Sequence, residues 1–226
     1  MLVAVLLLLL ATAHVAAVAG EDSSSGGNHH GQCIEKEKEA LLRFKGVVDP
    51  GNILSSWTND RTNQNCCTWR GVTCDNQTNH VVEIDFSTVY DDNTDGHDYA
   101  IGGEIGSSLV ELQYLNYLDF SGNNFSRIPM FIGSFENLVY LDLSRNPISG
   151  TIPPQLGNLT KLQFLDLSSS SDHDQMIADN SEWFSRLTSL RSFRLTNANF
   201  TKAGLQSFKV APSLSGLEVS GCLLPK

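Results

Sequence analysis

Leu138-Val139-Tyr140-Leu141-Asp142-Leu143-Ser144-Arg145-Asn146-Pro147-Ile148-Ser149-Gly150-Thr151-Ile152-Pro153-Pro154-Gln155-Leu156-Gly157-Asn158-Leu159 is the stretch on which the fold turns. Within it, Leu141-Asp142-Leu143 alternates apolar and polar, the pattern of a short strand with one buried face. The same outline lies on either side. Ile105, Leu109, Leu112, Leu115 and Leu118 are separated by steps of four, three, three and three. Ile128, Ile132, Phe135, Leu138 and Leu141 keep those steps, and so do Ile152, Leu156, Leu159, Leu162 and Leu165. From Leu118 to Leu141 is 23 residues and from Leu141 to Leu165 is 24. Looser copies run through Phe184, Leu187, Leu190 and Phe193, then Phe208, Ala211, Leu214 and Leu217. The 28 residues from Leu165 to Phe193 place an insertion around Ser168 to Asn180.

A period of that length marks stacked supersecondary units. One unit cannot bury its apolar face alone, whereas stacked units bury a continuous core. The expectation is an α/β solenoid, a right-handed coil with a parallel β-sheet on its concave face. Three copies of one five-position spacing do not arise in an ordinary amphipathic α/β domain. Asn123, Asn146, Ser170, Ala198 and Cys222 each fall three residues after the strand's second apolar residue. A buried Asn there satisfies backbone groups at the turn. Cys222 is read as a buried free thiol.

The charge balance, 15 basic against 25 acidic residues for a net −10 with the deficit spread along the chain, argues against nucleic acid, which requires a basic stripe. At the N-terminus, Leu2 to Leu10 form an apolar run followed by Ala17-Val18-Ala19, the layout of a secretory signal, although the positive residues that usually precede such a run are missing. The run is short for a membrane span of about 20 residues, and His14 interrupts it. Residues 1–19 are therefore assigned to a signal peptide and 20–32 to a Ser/Gly-rich linker. Secretion makes Cys33, Cys66, Cys67 and Cys74 a pair of disulfides, with three pairings open. A zinc site is disfavoured because adjacent Cys66 and Cys67 fit poorly on one tetrahedral ion.

Leu138 to Leu159 resembles, nearly whole, the repeat of plant extracellular leucine-rich-repeat proteins, including Ser149-Gly150-Thr151-Ile152-Pro153. Ser126-Arg127-Ile128-Pro129 lacks the Gly of that pattern, and Gly102-Gly103-Glu104-Ile105 lacks the Pro. Glu39-Ala40-Leu41-Leu42-Arg43-Phe44-Lys45, Leu54-Ser55-Ser56-Trp57 and Cys66-Cys67-Thr68-Trp69-Arg70-Gly71-Val72-Thr73-Cys74 resemble that family's N-terminal cap. The resemblance implies pairs Cys33–Cys66 and Cys67–Cys74. It sets a cap at 33–80 and about five or six repeats over 81–226, the last incomplete. Ala40, Leu41, Phe44 and Val48 share one face of a short helix, suited to covering the first repeat. Leu115-Asn116-Tyr117-Leu118-Asp119-Phe120, the Trp183 insertion and Ser220-Gly221-Cys222-Leu223-Leu224-Pro225 are similar to plant receptor-like proteins, including the group that perceives a fungal elicitor. Such proteins run on through more repeats and a membrane helix. The expectation is thus a piece of a longer protein, of marginal stability by itself.

The concave side chains are the polar positions beside the strand leucines. Tyr117, Asp119, Tyr140, Asp142, Arg145, Phe164, Asp166 and Arg194 are the candidate ligand contacts, since aromatics and Arg on a rigid wall make good anchors. Leu-Asp-Leu-Ser is also the default strand of the family. Asn76, Asn124, Asn158 and Asn199 head N-x-S/T sequons, expected to carry glycan in a secreted chain. Asp91, Asn93, Asp95 and Gly96 echo a calcium loop, but its twelfth position is Gly102 where Glu is required, so a solvated loop is expected. No nucleophile elbow, phosphate-cradling loop or H-E-x-x-H occurs, and no cofactor or metal is implied. The chain reads as a non-catalytic extracellular binding domain with a protein or peptide ligand and a co-receptor kinase as partners. A secreted inhibitor of pathogen cell-wall-degrading enzymes and a receptor-kinase ectodomain are the alternatives.

Overall fold

The computed structural model describes residues 32–60, 64–87, 100–170, 175–180, 182–203 and 213–223. The signal-peptide assignment and the Asp91–Gly96 loop lie outside these residues. Among the described residues, seven strands form one sheet. Val72–Cys74 runs antiparallel to Val81–Asp85. From there Tyr117–Asp119, Tyr140–Asp142, Phe164–Ser168, Ser192–Thr196 and Gly216–Ser220 follow in chain order, every pair parallel. Ile84, Leu118, Leu141, Leu165, Phe193 and Leu217 align across the ladder, which is the register the repeat spacing predicts. Parallel strands need long crossovers, and a period of 23 or 24 residues supplies one per coil.

Each crossover drops its aliphatic residues into the core through a short 3-10 turn: Ser107–Glu111, Met130–Ser134 and Pro154–Asn158. Leu109, Ile132 and Leu156 within them are fully buried. Coils approach so closely there that a Cβ on Gly133 would lie 2.3 Å from the Gln155 carbonyl oxygen, so only glycine fits. In the fourth coil the α-turn Glu182–Ser185 takes this place, with Trp183 and Phe184 buried. The insertion also contributes Met176–Ile177, which pairs with Gly150–Thr151 on one side and Ala198–Asn199 on the other, making a small second sheet.

The asparagine spine is present where the chain carries Asn. Asn146 Nδ2 donates to the carbonyls of Phe120, Leu143 and Ser144, and its Oδ1 accepts from Phe125 N–H at 2.9 Å. Asn123 makes the equivalent donations to Phe120 and Ser121, both at 3.1 Å. Cys222, expected to be buried, is only half-buried, its Sγ donating to the Ser220 carbonyl at 3.4 Å. The reason lies in its coil: the whole strand Gly216–Ser220 is exposed.

At the other end, helix Glu35–Val48 buries Ala40, Leu41, Phe44 and Val48 completely. Glu35 and Glu37 in its first turn and Lys45 in its last suit the helix dipole. Phe44 stacks on Phe120 at 5.6 Å, which joins cap and repeats in one core. Trp57 stacks on Trp69 at 5.5 Å and donates its Nε1–H to the Arg70 carbonyl at 2.9 Å. The disulfides are Cys33–Cys66 and Cys67–Cys74, the pairing the family resemblance implies.

Candidate functional site

On the open face of the sheet, the residue before each inward leucine and the residue after it form two rows. The first row is aromatic. Tyr117 stacks on Tyr140 at 4.2 Å, and Tyr140 on Phe164 at 4.4 Å, with interplanar angles of 7° and 4°. Strands about 4.8 Å apart in exact parallel register force such rings face to face. The Arg194 guanidinium ends the column, its Cζ 6.0 Å from the Phe164 centroid. The ring faces are spent on one another, so this wall presents edges and the tyrosine hydroxyls.

The second row is acidic, and it is less available than sequence suggests. Asp119, Asp142 and Asp166 are only 4, 9 and 5 % exposed. Each Oδ1 accepts the backbone N–H two residues on, from Ser121, Ser144 and Ser168 at 2.8, 2.8 and 2.9 Å. Asp119 and Asp142 end their strands by local side-chain turns, whereas Asp166 makes the same bond within the strand Phe164–Ser168. Their second oxygens are what remains to face a partner, and Asp142 Oδ2 already accepts from Tyr140 Oη at 3.4 Å. Burial pushes the Asp119 and Asp142 carboxyls above the usual range, while their bonds from Ser121 and Ser144 pull the other way. Burial, then the Asp119 charge, pushes the Tyr117 phenol up to about 12. Tyr140 is raised as well, by burial and then by Asp142. The tyrosines are neutral hydrogen-bonding groups at any physiological pH.

Two cations border this surface. Arg194, half exposed, pairs with Asp166 at 3.7 Å and with Glu218 at 3.3 Å. Arg145 is exposed, and its Nη2 reaches Ser121 Oγ at 3.5 Å. Its backbone φ is +55°, in the left-handed region. Gly122, Asn197 and Gly221 hold the same conformation at the equivalent step of other coils. A side-chain-bearing Arg there is strained, and such strain concentrates at working positions.

Sequence reasoning missed Glu83 and Asp85, which align with Tyr117 and Asp119, and Glu218, which aligns with Arg194. The signal was present: Ile84-Asp85-Phe86 repeats Leu118-Asp119-Phe120. Burial pushes the Glu83 carboxyl up, helped by the neighbouring Asp85 charge. Of the sequon asparagines, Asn76, Asn124 and Asn158 are exposed. Asn199 is half-buried, its Oδ1 accepting from Thr201 Oγ1 at 2.7 Å.

Comparison with known proteins agrees with this architecture. Residues 34–75 match the leucine rich repeat N-terminal domain, and residues 114–135 and 137–159 each match the leucine rich repeat. This chain is a leucine-rich-repeat protein. Among similar proteins, receptor-like protein EIX1 of Solanum lycopersicum is 41 % identical over 201 residues, 86 % of this chain and 19 % of that protein. The solved PEPR1-AtPEP1 structure aligns with a TM-score of 0.60 at 28 % identity, covering 74 % of this chain and 22 % of that one. The BIR3–SERK2 complex of Arabidopsis thaliana aligns with a TM-score of 0.55 at 27 % identity, over 83 % of this chain and 96 % of that chain. This leucine-rich-repeat chain spans about a fifth of the length of EIX1. Among its described residues no helix is long and apolar enough to cross a membrane.

Proposed function

We propose that this chain is the N-terminal part of a non-catalytic ligand-binding ectodomain of a plant receptor-like protein, acting outside the cell. The observation that carries this reading is the stacked row Tyr117, Tyr140 and Phe164, closed by Arg194, on the open face of a rigid parallel sheet. Rigid aromatic edges with neutral hydroxyls beside partly covered carboxylates suit an extended peptide or a protein loop, whose backbone amides find acceptors and whose side chains find apolar carbon. Tyr117, Tyr140, Phe164, Arg145 and Arg194 are the contacts proposed, with Asp119, Asp142 and Asp166 shaping the floor beneath them. A co-receptor kinase completes the proposed assembly. Likeness to plant receptor-like proteins and to receptor ectodomains supports the assignment.

Sequencing the transcript beyond the codon for Lys226 tests the architecture. More repeats, one membrane helix and a short tail are the expected result. A capped stop would favour a secreted inhibitor, and a kinase domain a receptor kinase. Charge reversal tests the face: Arg145→Glu together with Asp142→Lys abolishes capture of the extracellular partner, and unchanged capture by a folded variant removes these residues from the site.

A further inference from the structure

The flank of the solenoid at the N-terminal ends of the strands carries another row, formed by the residues just before the inward Val81, Leu115, Leu138 and Leu162. These are His80, Tyr114, Asn137 and Lys161. The His80 ring stacks on Tyr114 at 3.8 Å, and His80 Nδ1 lies 2.8 Å from Glu37 Oε1 of the cap helix. Lys161 Nζ donates to Asn137 Oδ1 at 2.7 Å, and Asn137 Nδ2 to the Gln113 carbonyl at 2.9 Å. Beside this row opens a groove of 490 Å³, within the range of about 300–1,000 Å³ that small-molecule sites occupy. One wall is Asp75, Gln77 and Thr78; the other includes Tyr114, Asn116 and Lys161.

The chemistry of the walls selects a ligand class. Amides, a hydroxyl, a carboxylate and an ammonium surround the half-exposed Tyr114 ring, and the carboxylate and ammonium cancel in charge. A phosphate or a strongly charged peptide gains little there, and an apolar anchor finds little besides Val82 and the ring. A neutral sugar fits: its hydroxyls match the amide donors and acceptors, and its C–H faces match aromatic carbon. The occupant is indicated by what forms the first wall, because Gln77 and Thr78 belong to the sequon of the exposed Asn76. The turn that presents it is held firmly. Asp75 Oδ1 accepts from Gln77 N at 3.0 Å, Thr78 N at 2.8 Å and Thr78 Oγ1 at 2.8 Å, and Asn79 N donates to the Asp75 carbonyl at 2.9 Å.

We propose that this groove seats the first sugars of a glycan attached to Asn76. Single sugars bind proteins weakly, but a short tether raises the local concentration to the order of millimolar, so weak contacts suffice. Seated there, the glycan braces the cap's hairpin turn against the coils that carry Tyr114 and Lys161. The proposal stands independently of any ligand on the sheet face and requires only passage through the secretory pathway.

The test uses the full chain secreted from a eukaryotic host that leaves high-mannose glycans, digested natively with an endoglycosidase and followed site by site by mass spectrometry. The Asn76 glycan is released about tenfold more slowly than the Asn158 glycan, because it must leave the groove before cleavage, and denaturation equalises the two. Tyr114→Ala with Asn116→Ala brings the native rates together, and Lys161→Ala, a change at an exposed residue, narrows the gap in a chain that folds normally. Equal native rates in the unmodified chain, an unoccupied Asn76, or protection that survives both variants overturns the proposal.

Discussion

At the N-terminal end Phe44 of the cap helix lies fully buried against Phe120, and Phe120 and Leu118 of the strand just before it are fully buried too. At the other end Leu217 and Val219, at the repeat positions equivalent to Leu118 and Phe120, are 56 and 45 % exposed. The strand code is alike in both places. What differs is the neighbour: a coil buries its aliphatic residues only where another coil or a cap covers it, as expected for a structure whose stability is a sum of nearest-neighbour interfaces.

The sharpest way to break that comparison is to truncate one residue at each end. Phe44→Ala removes a fully buried ring and costs about 3–5 kcal/mol, whereas Leu217→Ala stays within about 0.5 kcal/mol. Urea melts of the two variants measure the contrast, and equal costs would show that the last strand is covered after all. The disulfides grade the capped end further. Cys33–Cys66 closes a separation of 33 residues and Cys67–Cys74 one of 7. On loop-closure entropy alone, replacing the first pair by Ser costs about 3–4 kcal/mol and the second about 2–3 kcal/mol. A reversed order in the same melts would point to native-state packing as the larger factor.

Between the ends the asparagine spine offers a finer test. Asn146 has partners for both its amide nitrogen and its Oδ1, and Asn146→Ala strands the Phe125 N–H and the Leu143 carbonyl at a cost of about 2 kcal/mol. Asn123 Oδ1 has no hydrogen-bond partner, so Asn123→Ala costs less. A larger loss at Asn123 in paired melts would contradict the bond pattern.

How far the sequence foretold this molecule follows from the same physics. Inward residues recur because each coil repeats one packing problem, so Leu118, Leu141 and Leu165 announced the sheet, its register and its parallel sense. Outward residues answer to no such constraint. Asp142 looked like a ligand contact in the pattern Leu-Asp-Leu-Ser, and only coordinates show its Oδ1 tied to Ser144 N–H. The stacking of Tyr117, Tyr140 and Phe164 was implicit in the register, although a ring's face can be known to be occupied only once the strands are placed. The insertion after Leu167 hid a strand, Met176–Ile177, too short to show a period of its own.

Asp142 also allows a pH test of the buried floor. Its folded carboxyl is raised above the ordinary value of 3.8, chiefly by burial, so the folded chain holds more protons than the unfolded one above that pH. Stability is therefore greatest at low pH for this group and declines as pH rises through the raised value. Asp142→Asn keeps an oxygen acceptor for Ser144 N–H while removing the charge. The variant is more stable than the parent at pH 7, and its melting temperature varies less between pH 4 and pH 7. A steeper pH dependence in the variant would mean that the carboxylate charge has a favourable partner.

The smallest effect bears most directly on function. Arg145 sits where Gly122 and Gly221 sit in other coils, at φ +55° against +69° and +63°. A left-handed non-glycine residue costs about 1–2 kcal/mol, and glycine returns about 0.5–1 kcal/mol of that through its larger loss of backbone freedom on folding. Arg145→Gly therefore stabilises the chain by about 0.5–1 kcal/mol, a rise of a few degrees in melting temperature. If the side chain is retained for binding, the same substitution weakens partner capture while the fold grows firmer. A variant that gains no stability refutes the strain argument, and one that gains stability with undiminished capture leaves Arg145 as a local irregularity outside the binding face.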